Sequence, residues 1–309
     1  MTAEERKLDQ AARAAWLYYV GNLRQDEIAR HMGVSRQTAQ RLVAQAMDAG
    51  LVKVRIDHPT AVCLELSRAL EARFDLQEIY VVPDEGGFAG VAMALADAIE
   101  RDLNGTDPIT LAIGTGRTLR AAVLQLARID CPQHKIVSLT GNIAPDGSAA
   151  YYNVMFSLSE RVTARSYPLM VPVIAATVEE VEALHRQPGN ARVIEMARRA
   201  DVGYIGIGSM DDKAALLDDG FLSRREVEAL RAAGAVGEIL GWPYDAKGNV
   251  MPNLDRVAAP PLSNLAEVIV TASVFGLSKG PATLGALRGG LINGLICDQT
   301  LAAWILDQA

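Results

Sequence analysis

Two groups of residues in this 309-residue chain have types and spacings suited to chemistry. The first is SRQTAQR, where Ser35 precedes a helical stretch whose outward face carries Arg36, Gln37, Thr38, Gln40 and Arg41. Arg and Gln side chains present forked donors and acceptors that match guanine and adenine edges in a major groove. No acidic residue occurs between Arg36 and Met47, where phosphate would repel one. The second group is Gly114-Thr115-Gly116-Arg117-Thr118, between an apolar ITLAI and a helical LRAAV. Its glycines let backbone N–H groups crowd around an anion, its threonines add hydroxyls, and Arg117 adds a charge-assisted bond at a positive helix end. The loop lacks the third glycine of a dinucleotide fingerprint and the Gly-Lys-Ser/Thr of a P-loop. A tight turn whose glycines serve only steric ends fits the same spacing.

The first group needs two helices to hold it. In QDEIARHMGVSRQTAQRLV, Gln25 to Val43, Ile28 and Met32 share one helical face, and Ala39, Leu42 and Val43 supply the face opposite. Gly33 can end the first helix with a positive φ, Val34 plugs the corner, and the Ser35 hydroxyl can cap the second. These are the requirements of a helix-turn-helix. A helix over Asp9 to Val20, apolar at Ala12, Ala15, Trp16 and Tyr19, precedes it. A third helix over Arg36 to Ala49 stops at Gly50, and LVKVRI, Leu51 to Ile56, alternates as a short strand would. The alternative is a helical hairpin with a solvated polar face.

The second group needs a sheet. IYVV from Ile79, ITLAIG from Ile109, KIVSLTG from Lys135, VGYIGIG from Val202 and AEVIVTA from Ala266 are short β-rich runs alternating with helical stretches. Such alternation predicts an α/β domain with a mostly parallel, Rossmann-like sheet covered on both faces. His58-Pro59 marks a junction, with Thr60 as cap of a helix running to Phe74. The predicted domains are residues 1–57 and 58–309.

Charge and composition narrow the partners. The net charge is −7, yet residues 1–60 hold nine Lys/Arg against seven Asp/Glu, leaving 21 against 30 for the remainder. A small nucleic-acid-binding head on an acidic body is permitted. Half of the residues are hydrophobic, but no apolar run has the length of a membrane span and the charged start leads into no signal peptide, so no membrane is expected. Three isolated cysteines suggest reduced thiols in the cytoplasm. Four histidines without metal-ligand spacing and no committed Asp/Glu/His cluster point to no metal, no cofactor and no catalytic set.

At this point the chain resembles the SorC family of bacterial sugar-responsive transcription regulators over almost its whole length. The residues that carry the resemblance are YYVGNLRQDEIARHMGVSRQTAQRLVAQAMDAGLVKVRI, IGTGRTL at Ile113 to Leu119, GAVGEILGWPYDAKG at Gly234 to Gly248, and KGPATLGALRGGLINGLICDQTLAAWIL from Lys279. The resemblance implies a DNA-binding domain followed by an effector domain similar to sugar-phosphate isomerases and deaminases, in a homodimer or homotetramer. By matched position it implies effector contacts at Gly114, Thr115, Gly116, Arg117 and Thr118, hydroxyl acceptors at Glu238 and Asp245, and a phosphate or hydroxyl partner at Lys279. The family often has two adjacent glycines four and three residues before that lysine; Phe275 and Gly276 stand there. TGN, Thr140 to Asn142, at a predicted strand end, is a further rim candidate, where Asn142 either bonds a hydroxyl or caps the loop. Asp211-Asp212-Lys213 sits at another strand end, and Asp218-Asp219-Gly220 has the composition of a solvated turn.

The expected function is a regulator of a carbohydrate-catabolic operon that binds double-stranded operator DNA and is controlled by a sugar, polyol or sugar phosphate. The alternatives are a sugar-phosphate isomerase or deaminase with an N-terminal interaction hairpin, and a sugar-binding module whose hairpin only dimerises.

Overall fold

The computed structural model describes residues 3–52, 59–144, 146–148 and 154–309, and divides into two compact units, Met1–His58 and Pro59–Ala309. In the first, α1 (Ala3–Tyr19), α2 (Gln25–Met32) and α3 (Arg36–Asp48) pack around Ala14, Ile28, Ala39, Leu42, Val43 and Ala46. The first helix begins well before Asp9. Its buried stripe is Ala11, Ala14 and Ala15, while Ala12 is exposed and Trp16 and Tyr19 are 59% and 44% exposed. The expected face was displaced by one residue, because α1 approaches α3 through small side chains rather than through its aromatics. LVKVRI falls largely outside the described residues, as does His58.

The turn forms as its residues require. Gly33 has φ 65° and ψ 34°, and the Val34 N–H returns to the Ala29 carbonyl at 3.0 Å. Ser35 Oγ accepts the Thr38 N–H at 3.1 Å and caps α3. Gly50, with φ 68°, follows the third helix.

The second unit begins with the helix Pro59–Phe74, with Thr60 inside its first turn rather than before it. Its strands are β1 (Glu78–Val82), β2 (Thr110–Ile113), β3 (Lys135–Ser138), β4 (Arg165–Tyr167), β5 (Val202–Gly206), β6 (Gly208–Ser209), β7 (Ala235–Ile239), β8 (Trp242–Asp245), β9 (Ile269–Val274) and β10 (Gly294–Asp298). Among the described residues, seven of these form one parallel sheet in the order β1-β10-β9-β5-β2-β3-β4. Successive side chains go to opposite faces: Leu111 and Ile113 join one core with Val91, Leu95 and Leu119, and Ala112 joins the other with Ile205 and Ala272. Both faces are therefore buried, as parallel sheets require. β6, β7 and β8 form a small antiparallel sheet of their own.

The order of strands fixes where a ligand can sit. The chain leaves β2 for β3 on one side, and leaves β5 by way of the small sheet for β9 on the other. Between β2 and β5 the connections diverge, and their carboxyl ends open a crevice, the usual ligand position in doubly wound sheets.

A left-handed conformation costs a β-branched residue about 1–2 kcal/mol or more. Gly33→Val should therefore lower the melting temperature of the helix-turn-helix unit and leave that of the second unit unchanged, read by calorimetry of the full chain.

Candidate effector cavity and recognition helix

The crevice is a cavity of about 420 Å³. Its walls come from the ends of four adjacent strands. Thr140 follows β3, Thr115 to Thr118 follow β2, Gly206 to Ser209 run from the end of β5 through β6, and Ser273 to Phe275 end β9. The helix Arg117–Gln125 starts at Gly116 with no side-chain cap, so its N-terminus faces the cavity. Arg117 is more than half exposed and its guanidinium meets Asp218 at 3.4 Å.

The opposite wall carries two half-buried groups of opposite charge. Lys279 lies in the short turn before the helix Gly280–Arg288 and donates from Nζ to the Ile207 carbonyl at 2.9 Å. Burial holds its ammonium below the usual lysine range, with Glu238 and Asp211 opposing that shift. Glu238, on β7, pairs in register with Gly208, whose missing Cβ leaves the space its carboxylate fills. Burial pushes the Glu238 carboxyl up, against the Gly241 N–H that it accepts at 2.7 Å and against Lys279. The β7–β8 turn places Leu240 at φ 55° and Gly241 at φ 90°. A leucine held left-handed in the cavity lining is local strain, offset here by the Glu238–Gly241 bond. At the mouth, Phe88 and Phe275 meet edge to face with ring centres 5.9 Å apart.

Of the expected effector residues, Thr115, Gly116, Arg117, Thr118, Glu238 and Lys279 converge on this cavity. Three do not. Gly114 is buried behind the loop, its N–H bonded to the Tyr204 carbonyl at 2.9 Å, and a Cβ there would press on Leu240 and Ile205. Asp245 closes its own turn, its carboxylate accepting the backbone N–H groups of Lys247 and Asn249 and the Asn249 amide, each at 2.9 Å. Asn142 is buried and directs its amide to the carbonyls of Thr140 and Leu169 and to Ser138 Oγ. Conversely, Ser273 and Asp219 line the cavity without having been expected there, and Thr140, the first residue of the TGN rim candidate, lines it as well. Asp219, in the supposed solvated turn, is pushed up by burial, and its neighbour Asp218 holds Arg117. Only position at a strand end marked Thr140 and Ser273; nothing local marked Asp219.

In the first unit, Arg36, Gln37, Gln40 and Arg41 are exposed on α3. Arg36 Nε meets Asp26 at 3.1 Å, with both side chains well exposed, so this pair is weak and releasable. Ser35 and Thr38 share a hydroxyl–hydroxyl bond of 2.9 Å at the helix start, so both serve its cap. Among the described residues no helix is long and apolar enough to cross a membrane.

Comparison with known proteins agrees with this architecture. The Sugar-bind family model, described as "Putative sugar-binding domain", matches residues 58–307, and the MarR family model matches residues 10–60. The chain is similar to the erythritol catabolism regulatory protein EryD of Brucella abortus, at 34% identity with 96% of each chain covered. It is also similar to the transcriptional regulator LsrR of Escherichia coli K12, at 32% identity with 96% of this chain and 94% of LsrR covered. The full-length sorbitol operon regulator SorC of Klebsiella pneumoniae has the same fold, with a TM-score of 0.71, 23% identity, and 99% and 100% of the two chains covered. These relatives are regulators, and the isomerase or deaminase alternative falls with them. A helix-turn-helix and a sugar-binding α/β domain on one chain, matched along nearly its whole length, mean that this chain belongs to the SorC family of sugar-binding transcriptional regulators.

Proposed function

We propose that residues 1–57 bind double-stranded operator DNA and that residues 58–309 bind a small polyol or sugar in the crevice between β2 and β5, controlling a carbohydrate-catabolic operon in the cytoplasm. On α3, Arg36, Gln37, Gln40 and Arg41 read the major groove, and Ser35 and Thr38 shape the helix start that carries them. Two such heads, in a homodimer or homotetramer assembled through residues 58–309, engage half-sites about 34 Å or a multiple of it apart. The ligand acts on DNA affinity through whatever difference it has in affinity for the two quaternary arrangements.

The observation that carries the ligand class is the balance of charge around the cavity. Lys279 faces Glu238 and Asp211, and Arg117 faces Asp218, so cations and carboxylates alternate rather than summing to a phosphate cradle. Such alternating donors and acceptors suit hydroxyl groups, which both donate and accept. From β3 to β9 is three strand spacings, roughly 14 Å, which side chains reaching in from both ends reduce to the length of a small sugar or polyol. The relative named for erythritol catabolism supports the same class. The uncapped helix end at Gly116 favours a second reading, a phosphorylated sugar.

Three measurements test this. Arg36→Ala with Gln37→Ala should abolish a sequence-specific gel shift, each lost base contact weakening binding roughly 10- to 100-fold at fixed salt; an unchanged shift refutes the recognition helix. A thermal-shift panel of erythritol, sorbitol and their phosphates should raise the melting temperature, a ligand at 100 times its dissociation constant adding about 2.7 kcal/mol. Glu238→Gln should remove most of that gain, and preference for the phosphates would install the second reading. The third concerns the raised Glu238 carboxyl. Its neutral form is the one that folding favours, so its contribution is intact below its ordinary value of 4.5 and is lost as pH rises through the raised value. Without ligand, Glu238→Gln should therefore gain melting temperature relative to wild type as pH rises above 4.5.

A further inference from the structure

Thr140 stands out among the residues that line the cavity. It is 2% exposed, and its Oγ1 has no hydrogen-bond partner among the described residues. A buried hydroxyl in a finished structure is normally paired, and an orphan calls for an explanation.

The surroundings hold Thr140 firmly while leaving that hydroxyl unused. Its carbonyl accepts Ser138 Oγ at 2.9 Å and the Asn142 amide at 3.3 Å. Asn142 continues to the Leu169 carbonyl at 3.0 Å, tying the strand end to the next segment of chain. Between them, Gly141 packs so closely on the backbone of Val171 and Pro172 that no Cβ fits. The three residues Thr140-Gly141-Asn142 thus divide the work. Asn142 and Gly141 fix the backbone, and Thr140 borders the cavity with its hydroxyl enclosed and unpaired. In the sheet, β3 lies beside β2, with Ile113 opposite Ser138 and the Leu139 N–H on the Ile113 carbonyl at 2.9 Å. Thr140 therefore stands next to the Thr115–Thr118 loop, and two strands separate it from the β9 side that carries Lys279.

We propose that Thr140 is a ligand-contacting residue that determines specificity: its hydroxyl is reserved for a hydroxyl of the bound polyol or sugar, at the end of the cavity remote from Lys279. This rests on the assignment of the cavity as the effector site. A ligand lacking that hydroxyl leaves Thr140 unpaired and is discriminated against, because a site built to hydrogen-bond a hydroxyl rejects the analogue without one.

The test compares full-length wild type with T140V, T140S and T140A in thermal shift and titration calorimetry, using erythritol, sorbitol and inorganic phosphate as probes. Without any probe, T140V should melt at or above wild type, since valine keeps the shape and the fold loses no hydrogen bond. With the polyol that wild type binds, T140V should weaken affinity about tenfold, the measure of one neutral hydrogen bond, while T140S stays within about threefold. If T140V does not fold, T140A is read in its place for affinity.

A probe-free T140V that melts below wild type would mean the fold already uses the hydroxyl, and overturns the proposal. Equal polyol affinities for wild type and T140V remove Thr140 while leaving the effector cavity standing. A loss confined to inorganic phosphate overturns the assignment to a ligand hydroxyl. If wild type responds to none of the three probes, the effector assignment fails and takes this proposal with it.

Discussion

The divergence of the chain on either side of the β2–β5 pair is the constraint on which the second unit depends. A parallel sheet buried on both faces has no surface to offer a ligand, and its strands must be connected by crossovers that cover it. Only where successive crossovers leave in opposite directions do the carboxyl ends stay open. Thr140, the Thr115–Thr118 loop, Gly208 with Glu238 above it, and Ser273 all belong to strand ends that border this opening. The small antiparallel sheet is the second consequence, since the excursion from β5 to β9 is long enough to build β7 and bring Glu238 back over Gly208.

Opposite electrostatic solutions serve the two units. On α3 the cations stand in solvent, with Arg36 meeting an exposed partner in a pair that is readily released. In the cavity, Lys279 and Glu238 are both half-buried, and burial pushes each towards its neutral form while each opposes the shift of the other. Holding two such charges away from water is costly. The left-handed Leu240 and the orphaned Thr140 hydroxyl add local strain and an unpaired polar group to the same cavity lining.

What was legible in the residues followed how local each feature is. Gly33, Ser35 and the apolar positions of α2 and α3 lie within twenty residues of one another, so turn chemistry and helical period sufficed to derive the helix-turn-helix. The same holds for the glycine loop between β2 and its helix. Asp245 closes a local turn on Asn249, four residues on, which the same stretch equally allowed, whereas Asn142 answers to a carbonyl at Leu169 that the sequence does not bring near. β10, five buried residues with no alternation, escaped a strand reading because a strand covered on both faces has lost the period that would reveal it.

By itself, then, the sequence determined the kinked helix pair, the carboxylate-free face of α3 and the alternation of strands with helices, because short-range sterics and periodicity dictate them. Tertiary structure alone decided that Thr140, Asp219, Glu238 and Lys279 share one cavity, that Asn142 serves as a brace, and that Trp16 and Tyr19 stay outside their core. The reason is that strand order and burial are set by contacts between residues far apart in the chain, and a hydroxyl becomes an orphan or a carboxyl loses its water only once those contacts exist.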